Sequence, residues 1–154
     1  MRVEVVFGDS FATPATYARA VAPSPQTMSV DDRRMVAAWA ADCAEHVLVI
    51  VEAAVPTDAR VRAAIVQIRS FAAGELDVRD AVRQRGGEAG AAAREAPTPA
   101  ARAAAYAAEQ AAAVAHMGAN ALGAAGYAAK ASTLAVGAIT TPSHSPRRDA
   151  KSQR

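Results

Sequence analysis

The sequence predicts an all-α protein: a compact bundle of four to five helices with disordered tails at both ends. Alanine accounts for 44 of the 154 residues, and it is the strongest helix former because its side chain loses no conformational entropy in a helix. Apolar residues recur at steps of three and four through the middle of the chain, as on one face of a helix. Proline and glycine stand mostly between these periodic segments, where they interrupt helices.

Composition divides the chain into three parts. Residues 1–28 contain Pro14, Pro23 and Pro25 and no helical periodicity, so we expect a poorly ordered extension, with native translation starting at Met28. Residues 29–139 are predicted to form one helical domain, which is long enough to bury a core without a disulfide or metal. Residues 140–154 are rich in proline, serine and charge, and are predicted to be a disordered basic tail.

The first helix is predicted over residues 30–54. Ser29 and Asp32 have the spacing of a capping pair at its start, and Pro56 ends it. A stripe at steps of three and four predicts its core face; it consists of Val36, Trp39, Cys43, Val47, Ile50 and Ala54. We expect four of these to be buried against residues of later helices: Trp39, Cys43, Val47 and Ile50 against Ile65, Ile68 and Leu122.

The second helix is predicted over residues 58–73, with Gly74 as its C-terminal cap. A third begins near Asp77 as its N-cap, and helical structure resumes at 91–94 after an interruption by glycines. A long helical pattern then runs from residue 100 to about residue 137. Glycines inside it leave open a kink, a split into two helices or a close helix contact; they are Gly118, Gly123 and Gly126.

The basic character of the chain belongs to its tail. The net charge is +2, but residues 28–139 hold 12 acidic and 11 basic side chains, whereas residues 142–154 hold four basic side chains and one acidic. A nucleic-acid-binding domain carries its basic patch on a folded face, near aromatic or polar side chains that read bases. The sequence shows no such face, so we expect no nucleic-acid partner.

The single cysteine excludes an internal disulfide and a cysteine-based zinc site. Cys43 lies on the apolar side of its helix, where we expect a small buried residue rather than a reactive thiol. The N-terminus lacks the apolar core of a secretory signal. His116, Asn120 and Lys130 interrupt the apolar stretch 111–139, which favours a core helix over a membrane span. We therefore expect a cytoplasmic protein with no membrane partner.

Two lines of polar residues are candidates for function. The first, on the first helix, suits acid–base or metal chemistry, but we favour a solvated face paired with Arg60, Arg62 or Arg69. The second, on the long C-terminal helix, is interpreted as a hydrogen-bonded seam between helices or a partner-binding groove rather than a catalytic site. The first line consists of Asp42, Glu45, His46 and Glu52; the second of Glu109, His116, Asn120, Tyr127 and Lys130.

Both lines border the apolar stripes of their helices, so we expect them to meet in one polar seam that opens at the surface. The chain has no glycine-rich phosphate loop after a strand and no GxSxG motif. No nucleophile stands beside a recognisable base. We therefore predict no catalytic residue, no metal site and no cofactor.

Three segments resemble a family of small helical immunity proteins of actinobacteria that are associated with polymorphic toxin systems. They are WAADCAEHVL at 39–48, an Arg- and Ala-rich helix ending in Gly-Glu at 60–75, and AHMGANALGAAGYAAKA at 115–131. The resemblance covers roughly residues 28–136. In the family, the last motif often has a second histidine four residues after the first; this chain has Asn120 there.

The resemblance implies a non-enzymatic protein that neutralises a cognate toxin by contact. We expect its binding residues among those already singled out: Asp42, Glu45, His46, Arg69, His116, Asn120, Tyr127 and Lys130. Exposed Asp42, Glu45 and Glu52 would suit a basic partner surface. Two alternatives stay open. One is a small protein that binds a ligand or metal through the carboxylates and histidines; the other is a structural or homo-oligomeric helical protein.

Overall fold

The computed structural model describes residues 28–84 and 87–140, and these residues form helices with no strand among them. The seven helices are α1 Val30–His46, α2 Leu48–Ala54, α3 Arg60–Ala72, α4 Val78–Gln84, α5 Gly87–Glu95, α6 Pro99–Ala113 and α7 Asn120–Thr140. The predicted all-α class is confirmed. The extension before Met28 and the tail after Thr140 lie outside the described residues, so the expectations for them and the domain limits stay predictions.

The expected count of four to five helices is too low. The first predicted helix bends at Val47, whose φ of −107° and ψ of 2° separate α1 from α2. If α1 and α2 are counted as one bent helix, the described residues form six helices. Val47 begins a run of mostly β-branched residues, which lose side-chain freedom in a helix. The helical structure predicted at residues 91–94 is the middle of a separate helix, α5.

Local capping follows the sequence closely. The Ser29 hydroxyl accepts a hydrogen bond from the Asp32 backbone N–H at 3.1 Å and donates one to the Asp32 carboxylate at 2.7 Å. The predicted N-cap Asp77 accepts from the Asp80 N–H at 2.8 Å. Thr98 caps α6 in the same way, and Pro99 follows at a position where its missing N–H costs nothing.

Gly74 ends α3, as predicted. Its φ is +80°, and its N–H donates to the Phe71 carbonyl at 3.1 Å while the Glu75 N–H reaches back to Ser70 at 2.9 Å. This is the pair of bonds of a Schellman motif, which requires a residue in the left-handed region. Glycine adopts that region without steric cost.

The long C-terminal pattern splits into two antiparallel helices. α6 ends at Ala113, and the turn that follows contains Gly118. The Asn120 side chain donates to the Ala113 carbonyl at 3.2 Å, which also accepts the His116 and Met117 backbone N–H groups, so Asn120 joins the start of α7 to the end of α6. Arg33 of α1 donates to the Ala115 carbonyl at 2.7 Å and ties the turn to the first helix.

The core is built mainly from alanine. α6 contacts α1, α2, α3, α5 and α7, so it is the central helix, and nine of its fifteen residues are buried alanines. Alanines also form the buried faces of α1, α5 and α7. Among the described residues, eight buried core residues are larger than alanine: Val47, Leu48, Val51, Val61, Ile65, Ile68, Phe71 and Val114.

The core predicted around the first helix is wrong at two residues, Trp39 of α1 and Leu122 of α7. Trp39 is 46% exposed and Leu122 is 73% exposed, so neither belongs to the core. Val47, Ile65 and Ile68 are buried, as predicted, while Cys43 and Ile50 are half-buried against the core. The buried face of α1 is instead an alanine stripe: Ala37, Ala40, Ala41 and Ala44. No helix of the described residues is long and apolar enough to cross a membrane.

Ion pairs connect the outer faces of the helices. The Arg60 guanidinium donates to both Asp58 carboxylate oxygens, at 2.9 and 2.7 Å, and also to Glu95 at 2.6 Å. Asp58 in addition accepts from the Arg60 backbone N–H at 3.0 Å, so it caps α3. The hydrogen bonds from Arg60 lower the pKa of Asp58 below its usual range.

A glycine-to-alanine pair tests the C-terminal cap of α3. Gly74→Ala should lower the free energy of unfolding by roughly 1–2 kcal/mol, because alanine is strained at positive φ. Gly126→Ala is the matched control: this glycine lies inside α7 with no atom within 4 Å of an added Cβ, and alanine should raise stability by about 1 kcal/mol. Urea denaturation measures both. If both substitutions changed the free energy of unfolding in the same direction, the assignment of Gly74 as a cap would be contradicted.

The Asp58–Arg60 pair predicts an acid-dependent part of stability. Because the folded-state pKa of Asp58 lies below the unfolded value of about 3.9, its contribution is present above that pH and lost as pH falls through the lower folded value. Asp58→Asn should flatten the decline in stability below about pH 4. Asp31→Asn, in an exposed pair with Arg34 at 3.6 Å, should leave it unchanged. Urea midpoints between pH 2 and 7 measure both; identical profiles for wild type and Asp58→Asn would refute the assignment.

Candidate functional site

A surface hollow lies between α1 and α7, and Trp39 stands in it. The main cavity has a volume of about 360 Å³, and a second one of about 210 Å³ adjoins it at Trp39; together they form what we name the Trp39 cleft. The main cavity is lined by Trp39, Asp42, Cys43, His46, Val47, Ala125, Ala128, Ala129 and Ser132. The second is lined by Met28, Val36, Trp39, Gly118, Ala119, Ala121 and Leu122.

The cleft results from small side chains on α7. Val36 and Trp39 lie near the start of α7, and His46 lies level with Ser132 further along, so α1 and α7 run in the same direction. Along the main cavity α7 presents three alanines and Ser132 to α1, with Ala128 buried. A large side chain beside such a face leaves open space around itself, because no bulky neighbour fills the volume.

The cleft exposes an unusual amount of apolar surface. Trp39 is 46% exposed, Leu122 across the smaller cavity is 73% exposed, and Met35 is 70% exposed. Met35 precedes Trp39 by four residues on α1, so the two side chains are neighbours on the helix surface. Large exposed apolar patches are more common at binding surfaces than elsewhere on folded domains, so these side chains are candidates for contact with another molecule.

Polar groups stand along one edge of the cleft. Asp42 and His46, one turn apart on α1, line the main cavity with Ser132 of α7. The Cys43 thiol lies beside them and is half-buried; burial, and then the charge of Asp42, raise its pKa. A thiol with a raised pKa is mostly protonated at neutral pH, so Cys43 contributes apolar surface to the cleft rather than a nucleophile.

Asp42 and Glu45 pair with Arg69 of α3. The Arg69 guanidinium lies 2.7 Å from Asp42 and donates a second bond to Glu45. The bond to Glu45, and then that to Asp42, raise the pKa of Arg69. The expected pairing with α3 is therefore confirmed, and Arg62 pairs with Glu52 in the same way. The cluster of Asp42, Glu45 and Arg69 carries a net charge of −1, so its carboxylates are largely compensated within the protein.

The two polar lines of the sequence do not share one seam, and that expectation is wrong. Asp42 and His46 face the Trp39 cleft, whereas Tyr127 and Lys130 line a different cavity between α6 and α7. His116 is exposed in the turn before α7, and Asn120 is used in the contact with Ala113. Residues of α7 that are two positions apart, such as Ala125 and Tyr127, point to nearly opposite sides of the helix, which places the two lines on separate flanks.

The structure adds site residues that the sequence analysis did not single out. Ser132 lines the main cavity of the cleft, Met35 is an exposed neighbour of Trp39 on α1, and Arg102 and Tyr106 line the cavity between α6 and α7. The sequence could have indicated Met35, since it lies four residues before Trp39 and therefore on the same side of α1. Among residues 28–84 and 87–140, no three His, Cys, Asp or Glu side chains come close enough to hold a metal ion. The site geometry is that of a contact surface: an apolar centre with a polar edge.

A family model described as Imm-5 like putative immunity protein matches residues 26–152 of the chain. The match includes all seven helices and therefore both flanks of α7. No curated protein and no solved structure matches the chain significantly.

Paired aromatic substitutions separate the cleft from the core. Phe71→Ala should cost about 3–5 kcal/mol of unfolding free energy, because Phe71 is fully buried in the core. Trp39→Ala should cost only about 1–2 kcal/mol, since roughly half of its side chain already contacts water. Chemical denaturation followed by circular dichroism measures both. A cost for Trp39→Ala equal to that of Phe71→Ala would place Trp39 in the core after all.

Proposed function

This chain belongs to the family of Imm-5 like immunity proteins, and from that membership we propose that it neutralises a cognate toxin protein by binding it through the Trp39 cleft. The encounter takes place in the cytoplasm, and the protein catalyses no reaction of its own. Neutralisation by contact requires a complementary surface and no catalytic group.

The observation that carries the proposal is the exposure of Trp39 at the centre of an apolar cleft. Tryptophan is the residue most enriched among those that dominate binding energy, provided that it sits in a pocket that partner atoms can fill. Met35 and Leu122 extend the apolar area around it. Asp42, His46 and Ser132 supply a polar edge, as at the rim of a protein interface.

Charge plays the smaller part in this interface. Asp42 and Glu45 remain attractive to a basic partner surface, but Arg69 already compensates one of their two charges. Long-range steering by a net charge of −1 is weak and is screened over roughly 8 Å at physiological salt. Affinity should therefore come mainly from burial of the apolar surface around Trp39, and the carboxylates should influence the association rate and its salt dependence.

Co-expression with a candidate toxin domain chosen from the neighbouring genes tests the proposal. Wild-type protein should restore growth, and purified wild-type protein should bind the domain without turnover. Trp39→Ala should weaken binding about thirtyfold or more, as for a residue at an interface hot spot. Val66→Ala is the matched control, since Val66 is an exposed apolar residue of α3 that does not line the cleft.

Three outcomes would contradict the proposal. Continued killing in the presence of well-folded wild-type protein would refute toxin neutralisation. Full rescue by Trp39→Ala would refute the assignment of the cleft. A purified protein that self-associates through Trp39, with dimers lost in Trp39→Ala, would assign this face to a homo-oligomer instead.

A charge-swapped variant measures the electrostatic contribution to association with the toxin. Substituting Asp42→Lys and Glu45→Lys together with Arg69→Glu keeps the cluster paired but changes its net charge from −1 to +1. For a basic toxin surface, the association rate should fall and the difference should shrink as salt is raised. An association rate that increases would show that the partner surface at this edge is acidic.

A further inference from the structure

A second groove lies on the other flank of α7, between α7 and α6. It encloses a cavity of about 220 Å³ lined by Pro99, Arg102, Ala103, Tyr106, Tyr127, Lys130 and Leu134. The exposed ridge of α7, which includes Gly126 and Thr133, separates this groove from the Trp39 cleft. The two sites share no lining residue.

The antiparallel register of α6 and α7 places facing residues in pairs along the groove, one pair per helical turn. A Cβ added to Gly123 would lie 2.6 Å from the Gln110 side chain, so the helices approach closely there. One turn further, the rings of Tyr106 and Tyr127 lie with centroids 5.3 Å apart and planes tilted by 33°. At the following turn the same register places the two cations, Arg102 and Lys130, at one level of the groove.

The two cations of this groove are not neutralised by an ion pair within the described chain. Arg102 and Lys130 form none among residues 28–84 and 87–140, and neither do Arg33, Arg79 and Arg94; five other arginines of these segments do, namely Arg34, Arg60, Arg62, Arg69 and Arg83. Both side chains are exposed and line one small cavity, so an anion bound there would be attracted by two positive charges.

The remaining walls also suit an anionic group. Tyr106 and Tyr127 are half-buried, and within the described residues neither phenol hydroxyl has a hydrogen-bond partner. Each can donate to an oxygen anion at the cavity mouth. Ala103 and Leu134 provide apolar surface beside the charged groups, which suits a ligand with a short hydrocarbon part.

We propose that this groove binds the carboxylate of an acidic side chain presented by a partner protein. The guanidinium of Arg102 matches a carboxylate with two parallel hydrogen bonds, and Lys130 adds a point charge. The cavity lies below the range of about 300–1,000 Å³ that pockets for drug-sized ligands occupy, so it takes one side chain rather than a nucleotide. The site goes beyond the proposed function and does not require the Trp39 cleft.

The test titrates the full-length protein with a blocked tripeptide, acetyl-Leu-Glu-Leu-amide, while the tyrosine rings and the Arg102 side chain are followed by NMR. Saturable shifts should appear at Arg102, Tyr106 and Tyr127, with none at the Trp39 indole. The neutral peptide with Gln in place of Glu should bind at least about tenfold more weakly, because it lacks the charge that both cations contact.

Two double variants separate the site from general charge effects. Arg102→Gln with Lys130→Gln should reduce binding of the Glu peptide about tenfold. Arg79→Gln with Arg94→Gln removes the same charge from exposed positions outside the groove and should leave binding unchanged. Equal loss in both double variants, or equal binding of the Glu and Gln peptides, would overturn the proposal. Tighter binding of inorganic phosphate than of the Glu peptide would overturn it too, since the groove would then be a site for a free anion.

Discussion

The close approach of helices through alanine is the constraint on which the rest of the structure depends. α6 is in contact with five other helices because its buried face carries almost no side chain beyond Cβ. Alanine contacts bury little apolar area per residue, so the few larger core residues, headed by Phe71 and Ile68, concentrate in α2 and α3 and at the end of α1. Bulky residues do not fit between helices this close, and they lie at the edges of the contacts instead. Trp39, Tyr106 and Tyr127 all occupy such edges.

The same constraint creates both candidate binding sites. α7 presents alanines toward α1 and approaches α6 closely at Gly123, so a groove opens wherever a large residue of the neighbouring helix stands beside it. Trp39 marks the groove on the α1 side, and the tyrosine pair marks the groove on the α6 side. Alanine packing thus supplies rigidity to the bundle and leaves its aromatic side chains accessible, and an accessible rigid aromatic loses little entropy on binding.

Local features were predictable from the sequence, and relative positions were not. The caps at Ser29 and Asp77 and the Gly74 terminus follow from residues within one turn of each other, so a single segment contains the whole interaction. The pairing of Asp42 and Glu45 with α3 followed from charge alone, since neighbouring helices placed complementary residues within reach. The burial of Trp39 was predicted wrongly because periodicity identifies the stripe of large apolar residues on α1. In the structure, the neighbouring alanine stripe of α1 is the one that packs into the core. The supposed polar seam failed for a related reason: only the helix packing decides which flank of α7 faces α1.

The two flanks of α7 carry opposite charges, which can determine the orientation of a partner bound across the exposed ridge. The Asp42, Glu45 and Arg69 cluster carries −1 beside the Trp39 cleft, and Arg102 with Lys130 carries +2 in the groove between α6 and α7. Neither charge is large enough to supply most of an affinity, but a partner lying across α7 would meet repulsion on both flanks if it docked in the reverse orientation. Apolar contact at Trp39 would then supply the binding energy, and the two charged flanks would determine the orientation of the partner. Selective binding of one partner protein at this surface would require both.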